Sequence, residues 1–497
     1  MKLFPLLSLL TLAFSLTEGA IVCYYGSWAV YRQGDGKFDV EDIDPTICTH
    51  IIFGFAGVDS STYRIKVLDP YNELCENWGK CAFDRFTNLK SKNVYLKALL
   101  AVGGWNEGSA KYSTMAADPA KRQAFTESSI EMLKAHNFDG LDLDWEYPTL
   151  RGGNPEDYVN FVTLLSELKV ALQAEGLLLT VAVAAGKPTA DAAYDIPGMV
   201  PHVDLINVMS YDFHGAWDPY THHQSPLYAH PLDTGENLYF NLDYAVNYWL
   251  SRGAPKEKLV PGIPLFGRCW GLDSDTETGY YAPASRPGNP GPYTNSPGFW
   301  GYNEICEAQM SQSWTVVNDP AMHEPYTYYL PNGRLWCSYE DVNSVAIKAQ
   351  YARDLGLAGC MVWSVETDDF KAKCHTRTFE LINTIVEVFS GGTFTKPPTS
   401  PPGSTVTQDP DATTPVYTPR PTPPPSTHCS VPGINPDEQD CTHYYICSED
   451  VDGQYIEYEQ VCPPDTLFNP VAKICDWPDS VCHLEGNHCP NDCPSFL

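Results

Sequence analysis

Apolar residues gather into eight short runs between residues 21 and 365: IVCYYG (21–26), HIIFGF (50–55), VYLKALLAVGG (94–104), FDGLDLDWE (138–146), LLLTVAVAA (177–185), VDLINVMSY (203–211), KLVPGIPLFG (258–267) and LAGCMVWSV (357–365). They are rich in Val, Ile, Leu and aromatics. They are separated by helix-length amphipathic stretches such as PAKRQAFTESSIEMLKAHN (119–137) and PEDYVNFVTLLSELKVALQAEG (155–176). Near-continuous apolar strands alternating with helices read as a parallel sheet covered on both faces. Eight such units predict an α/β fold, a closed (β/α)8 barrel, with an open doubly wound sheet as the alternative from pattern alone. The interval 269–338 breaks the rhythm with Gly, Pro, Tyr and short strand-like pieces (YTYYL, GRLWCS). It is expected to be a small α+β insertion between strand 7 and helix 7.

Two further segments change this picture. Residues 1–20 place Lys2 before an apolar run that ends in small residues, the layout of a secretory signal peptide. The run is too short to span a bilayer, so neither an anchor nor a membrane partner is expected. Residues 391–428 turn to Pro, Thr and Ser with almost nothing to bury, which predicts a stiff extended linker suited to O-glycosylation. The linker divides a catalytic-sized body (21–390) from a short tail.

Charge and cysteines limit the function. The 497 residues carry a net charge of -31, which repels nucleic acid and anionic lipid alike. All 17 cysteines follow the expected cleavage point, in an oxidising extracellular setting. The odd count leaves at least one thiol unpaired. In the tail, Cys429, Cys441, Cys447, Cys462, Cys475 and Cys482 sit in a segment with too little core to fold unaided. This predicts a small disulfide-stapled, β-rich module over 429–482, with zinc ligation as the competing account, followed by a tail (483–497) with Cys489 and Cys493. In the body, position alone suggests that Cys75 pairs with Cys81 and Cys269 with Cys337. Cys360, inside the eighth strand, is then expected to be a buried free thiol.

The candidate chemistry lies in Asp139, Gly140, Leu141, Asp142, Leu143, Asp144, Trp145, Glu146, Tyr147 and Pro148. Side chains alternate along a strand, so Asp142, Asp144 and Glu146 face the same way at steps of about 6.7 Å. Three carboxylates on the inner face must share protons, and each raises the pKa of the next. A solvated acidic edge is the bland alternative, but the apolar residues on the other face and the closing Trp145, Tyr147 and Pro148 argue for a functional site. Asp139 has the opposite parity and is expected to be structural. Glu146, at the C-terminal end of the strand, is placed to protonate a glycosidic oxygen. Carboxylates on one strand do not flank both sides of a scissile bond, so the nucleophile must come from elsewhere. A 2-acetamido sugar supplies its own carbonyl oxygen.

The run DGLDLDWEYP resembles the DxxDxDxE signature of family 18 chitinases, matched by Asp139, Asp142, Asp144 and Glu146. KALLAVGGW, MSYDFHGAW and GCMVW are similar to the family's third-, sixth- and eighth-strand blocks. The resemblance implies that Glu146 is the general acid/base, Asp144 orients the acetamido group, Asp142 shares its proton and Tyr211 hydrogen-bonds the acetamido carbonyl. It implies Trp363 as the floor under the cleaved sugar. Trp28, Phe55, Trp105, Tyr147, Met209, Asp212, Trp217 and Arg268 are implied as substrate-lining residues. It also implies bridges Cys23–Cys48 and Cys306–Cys374.

The spacing of the tail cysteines with CTHYYIC and LFNPVAKICDWP resembles the peritrophin-A type of chitin-binding domain. That implies pairs Cys429–Cys447, Cys441–Cys482 and Cys462–Cys475, with Tyr444, Tyr445 and Trp477 available to stack on sugars. No metal and no cofactor are expected. His214, His222 and His223 show no metal-ligand spacing. The chain is expected to be a secreted monomer whose partners are chitin and chitooligosaccharides. A non-catalytic chitin-binding protein and an endoglycosidase of N-linked glycans are the rival readings.

Overall fold

The computed structural model describes residues 19–391 in full and, beyond them, the backbone of six short strands within 405–476. The eight apolar runs all form strands: Ala20–Gly26, His50–Val58, Lys97–Gly103, Gly140–Asp144, Leu178–Ala184, Leu205–Met209, Leu259–Pro264 and Gly359–Trp363. They pair in parallel in chain order. The first strand also pairs with both the second and the eighth, so the barrel is closed. The first strand takes in Ala20, one residue ahead of the expected start, because its N–H donates to the Ala358 carbonyl at 2.8 Å.

Alternation along each strand sorts the core into two layers. Val22, Tyr24, Ile52, Leu99, Ala101, Val260 and Met361 fill the barrel interior. The opposite-facing residues, such as Leu141, Leu143, Leu179 and Val181, pack under the helices. The helix Pro119–Ala135 starts at a proline, capped by Asp118, whose carboxylate accepts the N–H groups of Ala120 and Lys121. The helix Asp157–Ala174 buries Phe161, Leu164, Leu165, Leu168 and Leu172 along one stripe. Each of these side chains contributes about 1.5–3 kcal/mol when fully removed from water.

After the seventh strand the chain runs through Leu265 into a second sheet, which therefore starts at Phe266 and not near residue 269. Phe266–Gly271, Leu335–Ser338, Tyr326–Tyr329 and Thr315–Asn318 pair antiparallel in that order, and the helix Tyr302–Ser311 accompanies them. Cys269 and Cys337 stand opposite each other in this sheet and are bridged. Further bridges join Cys23 to Cys48, Cys75 to Cys81 and Cys306 to Cys374, while Cys360 is buried and, among the described residues, unpaired.

The expected linker is not free of structure throughout, because Thr405–Gln408 pairs in parallel with Thr315–Asn318 through the open edge of the insertion sheet. In the tail, Gly433–Pro436, His443–Glu449 and Tyr455–Val461 form a three-stranded antiparallel sheet, and Leu467–Asn469 pairs with Ile474–Asp476. The side chains of Tyr444, Tyr445, Trp477 and the tail cysteines lie outside the described residues, as does the expected signal segment through residue 18. No helix among the described residues is long and apolar enough to cross a membrane.

Candidate active site

The fourth strand carries Asp142 and Asp144 into the barrel, and Glu146 follows just beyond its C-terminal end. They are 0%, 3% and 9% exposed. Leu141, Leu143 and Trp145 take the other face and pack outward. Asp139 has the opposite parity, and its Oδ2 accepts the Ala98 N–H at 2.8 Å and meets Lys90 Nζ at 2.9 Å.

Asp142 is the best-satisfied acid. Tyr24 donates its hydroxyl to Oδ2 at 2.7 Å, Thr180 donates to Oδ1 at 2.5 Å and Asn207 Nδ2 donates to Oδ1 at 3.4 Å. Burial raises its pKa to about 6 against these donors. Asp144 is buried among charges instead. Among the described residues its Oδ1 has no hydrogen-bond partner, and burial together with Glu146 and Asp142 pushes its carboxyl well above the ordinary range. Burial raises Glu146 to about 7, helped by the negative charge of Asp212 and opposed by a Tyr147 hydrogen bond and the Arg151 charge. Burial thus raises all three carboxyls of the strand, and Asp144, between the other two, is raised further by both of its neighbours.

Around this ladder, Trp363, Phe55 and Trp28 form an aromatic stack. Phe55 lies 5.7 Å from Trp363 and 6.4 Å from Trp28 between ring centroids, with interplanar angles of 24° and 15°. Tyr24 closes on Trp363 at 5.4 Å. The peptide bonds Gly54–Phe55, Glu146–Tyr147 and Trp363–Ser364 are cis. Met209 and Tyr211 face the same interior, and the Tyr211 hydroxyl donates to Met361 Sδ at 3.7 Å. Burial among the three acids raises the Tyr211 pKa, so its hydroxyl stays protonated.

Trp105 and Trp217 are 60% and 59% exposed, and each lies under a guanidinium. Arg151 sits 3.5 Å from the Trp105 ring centre and Arg268 5.3 Å from that of Trp217. Arg268 also grips Asp212 with two hydrogen bonds of 2.6 Å, from Nε and Nη2. Beside Trp28 the cleft opens into a cavity of about 790 Å³, with Tyr31, Arg32, Asn106, Asn295 and Phe299 in its wall.

Four residues in this constellation had no reading from the sequence: Tyr24, Thr180, Asn207 and Arg151. The first three are polar residues inside otherwise apolar strands, which was the available signal. The histidines also find partners: His214 meets Asp218 at 2.9 Å, His222 meets Asp233 at 2.8 Å, and His223 bonds Tyr280 and Ser338. Among the described residues, Cys306, Asp369 and Cys374 are close enough together to bind a metal, but the two cysteines are bridged to each other.

The model of glycosyl hydrolases family 18 matches residues 20–368, and that of the chitin binding Peritrophin-A domain matches 429–482. The chain belongs to glycosyl hydrolases family 18. Probable chitinase 2 of Drosophila melanogaster is 41% identical over 370 residues, 72% of this chain and 74% of that protein. Mouse (Mus musculus) Chitotriosidase-1 is 36% identical over 468 residues, covering 92% of this chain and 95% of its own. Among solved structures, the Ostrinia furnacalis Group IV chitinase in complex with allosamidin is 45% identical, with a TM-score of 0.72, covering 76% of this chain and 100% of that one. In this family 18 barrel the acidic ladder therefore lies at the face where barrel enzymes carry out their chemistry.

Proposed function

We propose that this family 18 protein is a secreted chitinase. It hydrolyses β-1,4 bonds between N-acetylglucosamine units with retention, and its C-terminal module holds it on insoluble chitin. The observation that carries the mechanism is the state of Asp212, a carboxylate outside the ladder whose charge reaches Glu146. Asp212 has both oxygens in hydrogen bonds from Arg268, and this bidentate ion pair offsets its charge and makes it a poor nucleophile toward an anomeric carbon. Nucleophilic attack then falls to the substrate's own acetamido oxygen.

In that sequence of steps, protonated Glu146 gives its proton to the glycosidic oxygen as the bond to the anomeric carbon breaks. The acetamido oxygen of the same sugar closes on that carbon. Asp144 receives the acetamido N–H, orients it and offsets the positive charge of the oxazolinium, while the Tyr211 hydroxyl steadies the carbonyl end. Glu146, now a carboxylate, takes a proton from water as the water opens the ring from the original face. Asp142 takes up the Asp144 proton as the substrate binds, which leaves Asp144 a carboxylate toward the acetamido group, and returns it when the product leaves. Trp363 carries the reacting sugar, with Phe55 and Trp28 continuing the platform. Met209, Tyr147, Trp105, Trp217, Asp212 and Arg268 line the flanks.

Hydrolysis of a chitin oligomer, followed by the anomer released, tests this reading. The wild type should release the β-anomer, and Glu146→Gln should lose about 10²- to 10⁴-fold in rate. Release of the α-anomer, or chitin binding without cleavage, defeats it. Removing residues 391–497 should spare soluble oligomers and depress the rate on solid chitin, because tethering raises the local concentration of catalyst.

A further inference from the structure

We propose that Glu366 and Arg32 are positioning residues: their buried ion pair sets Trp28 against Trp363 and so fixes the spacing of the aromatic platform. This inference deepens the chitinase reading above and rests on it.

The two indoles are carried differently. Trp363 ends the eighth strand opposite Pro264 of the seventh, and its carbonyl accepts the Leu265 N–H at 2.7 Å. Trp28 sits in the short turn Ser27–Tyr31 beyond the first strand and is 45% exposed. The ladder between the first and eighth strands runs from Ala20 opposite Gly359 to Cys23 opposite Val362. Both indoles lie past its last rung, with ring centres 6.2 Å apart. A surface built from the ends of two strands needs a further tie to hold that spacing.

Glu366 spans the gap. It lies in the turn Val365–Thr367, just after Trp363, and is 1% exposed. Its Oε2 accepts the N–H of Gly26, the last residue of the first strand, at 3.1 Å, and its Oε1 accepts the Ser364 hydroxyl at 2.6 Å. A Cβ added to Gly26 would meet Glu366 Oε1 at 2.6 Å and Trp28 Cζ2 at 2.7 Å, so carboxylate and indole crowd over the same glycine.

Arg32 closes the tie from the other side. It ends the Trp28 turn, where its N–H donates to the Ala29 carbonyl at 3.2 Å. Its Nη1 donates to the main-chain oxygen of Glu366 at 3.1 Å, and its Nη2 lies 3.7 Å from Glu366 Oε1. The Arg32 side chain is nearly buried, in the wall of the cavity beside Trp28. One planar guanidinium thus reaches from the turn that carries Trp28 to both the backbone and the carboxylate of the turn after Trp363.

The turn Val365–Thr367 closes without the acid, because Thr367 returns its N–H to the Ser364 carbonyl at 3.0 Å and its hydroxyl at 2.8 Å. For stability alone a buried ion pair has little advantage, since desolvation offsets its Coulomb energy and an apolar pair of similar volume holds as well. A guanidinium fork is directional, however, so what the pair supplies is geometry.

A double-mutant cycle on the full chain tests this, with kcat and KM measured on a soluble N-acetylglucosamine tetramer for wild type, Glu366→Gln, Trp28→Ala and the double variant. Glu366→Gln should raise KM about three- to tenfold and hold kcat within about twofold, because stacking on Trp28 serves substrate and transition state alike. In the Trp28→Ala background the same change should leave KM where it was. An unaltered KM in Glu366→Gln, a loss confined to kcat, or an effect that adds to that of Trp28→Ala overturns the proposal. Arg32→Met should reproduce the rise in KM, and it carries the cycle if Glu366→Gln does not fold. Should the wild type fail to cleave the tetramer, the chitinase reading fails and the cycle is read in the tetramer's Kd. The positioning role then stands only if Glu366→Gln weakens binding with Trp28 present and not in its absence.

Discussion

Arg151 donates a hydrogen bond from Nη1 to the main-chain oxygen of Glu146 at 2.9 Å, which fixes a positive charge beside the acid of the ladder. Its Nη2 bonds the Trp105 carbonyl, also at 2.9 Å, so the guanidinium cannot swing away. Asp212 acts on the same carboxyl with the opposite sign.

These two charges predict opposite movements of the pH profile. Glu146 must carry a proton to act as an acid, so activity is present below its pKa of about 7 and lost as pH rises through it. Arg151→Gln removes a charge that favours the carboxylate, and the alkaline limb should move to higher pH. Asp212→Asn removes a repelling charge and leaves Arg268 uncompensated, so the limb should move to lower pH. Initial rates on a soluble oligomer across pH 5 to 9 read both shifts, and movement in the same direction would contradict the assignment of Glu146.

Cys360 lies on the eighth strand opposite Ile21, facing the packed layer under the helices. Burial pushes its thiol well above the ordinary range and removes it from reagents. Native protein should leave this residue unlabelled by an alkylating reagent, and unreduced protein in denaturant should yield a labelled peptide containing Cys360. Labelling in the native state would mean that the strand opens.

The eight strands were readable because a barrel strand is buried on both faces and prints as an unbroken apolar run. The acidic ladder was readable because three acids at alternate positions fit no ordinary core. Tyr24, Thr180 and Asn207 were harder to see. Each is one polar residue on its own strand, and only closure of the barrel brings them onto Asp142. Arg151 follows the fourth strand in a loop, where spacing carries no directional information. The pairing of Thr405–Gln408 with the insertion sheet was hidden for another reason: a Thr-rich segment within a Pro-rich stretch reads as spacer until an open strand edge is there to receive it.

Glu73 gives a stability test outside the active site. It is 1% exposed, and burial raises its pKa from 4.5 to about 8, opposed by hydrogen bonds from the Leu68 and Asp69 backbone. The folded state must keep this proton while the unfolded chain releases it near pH 4.5. The contribution to stability is therefore full below that pH and is lost as pH rises through about 8. Glu73→Gln keeps the shape without the charge. Denaturant unfolding should find the variant equal to wild type near pH 4 and more stable, on the order of a few kcal/mol, above pH 8. A difference independent of pH would mean that Glu73 acts through packing.

Lys348 and Glu340 are buried together beneath the insertion, and Lys348 Nζ donates to the Glu340 carboxylate and to the Ser225 carbonyl. Glu324 lies in the same pocket and accepts from the Ser225 N–H at 2.8 Å and the Ser338 hydroxyl at 2.6 Å. Lys348 is the cation that lowers the pKa of both acids against their burial. Lys348→Met leaves two acids to be neutralised in a low-dielectric interior and should cost about 3–5 kcal/mol. Lys348→Met combined with Glu340→Leu removes one of those acids with its partner, and should recover a large part of the loss. Chemical denaturation of the two single variants and the double variant closes the cycle. Additive losses would mean that the pair does not interact, whereas recovery would show that the cost of the single change is the uncompensated charge.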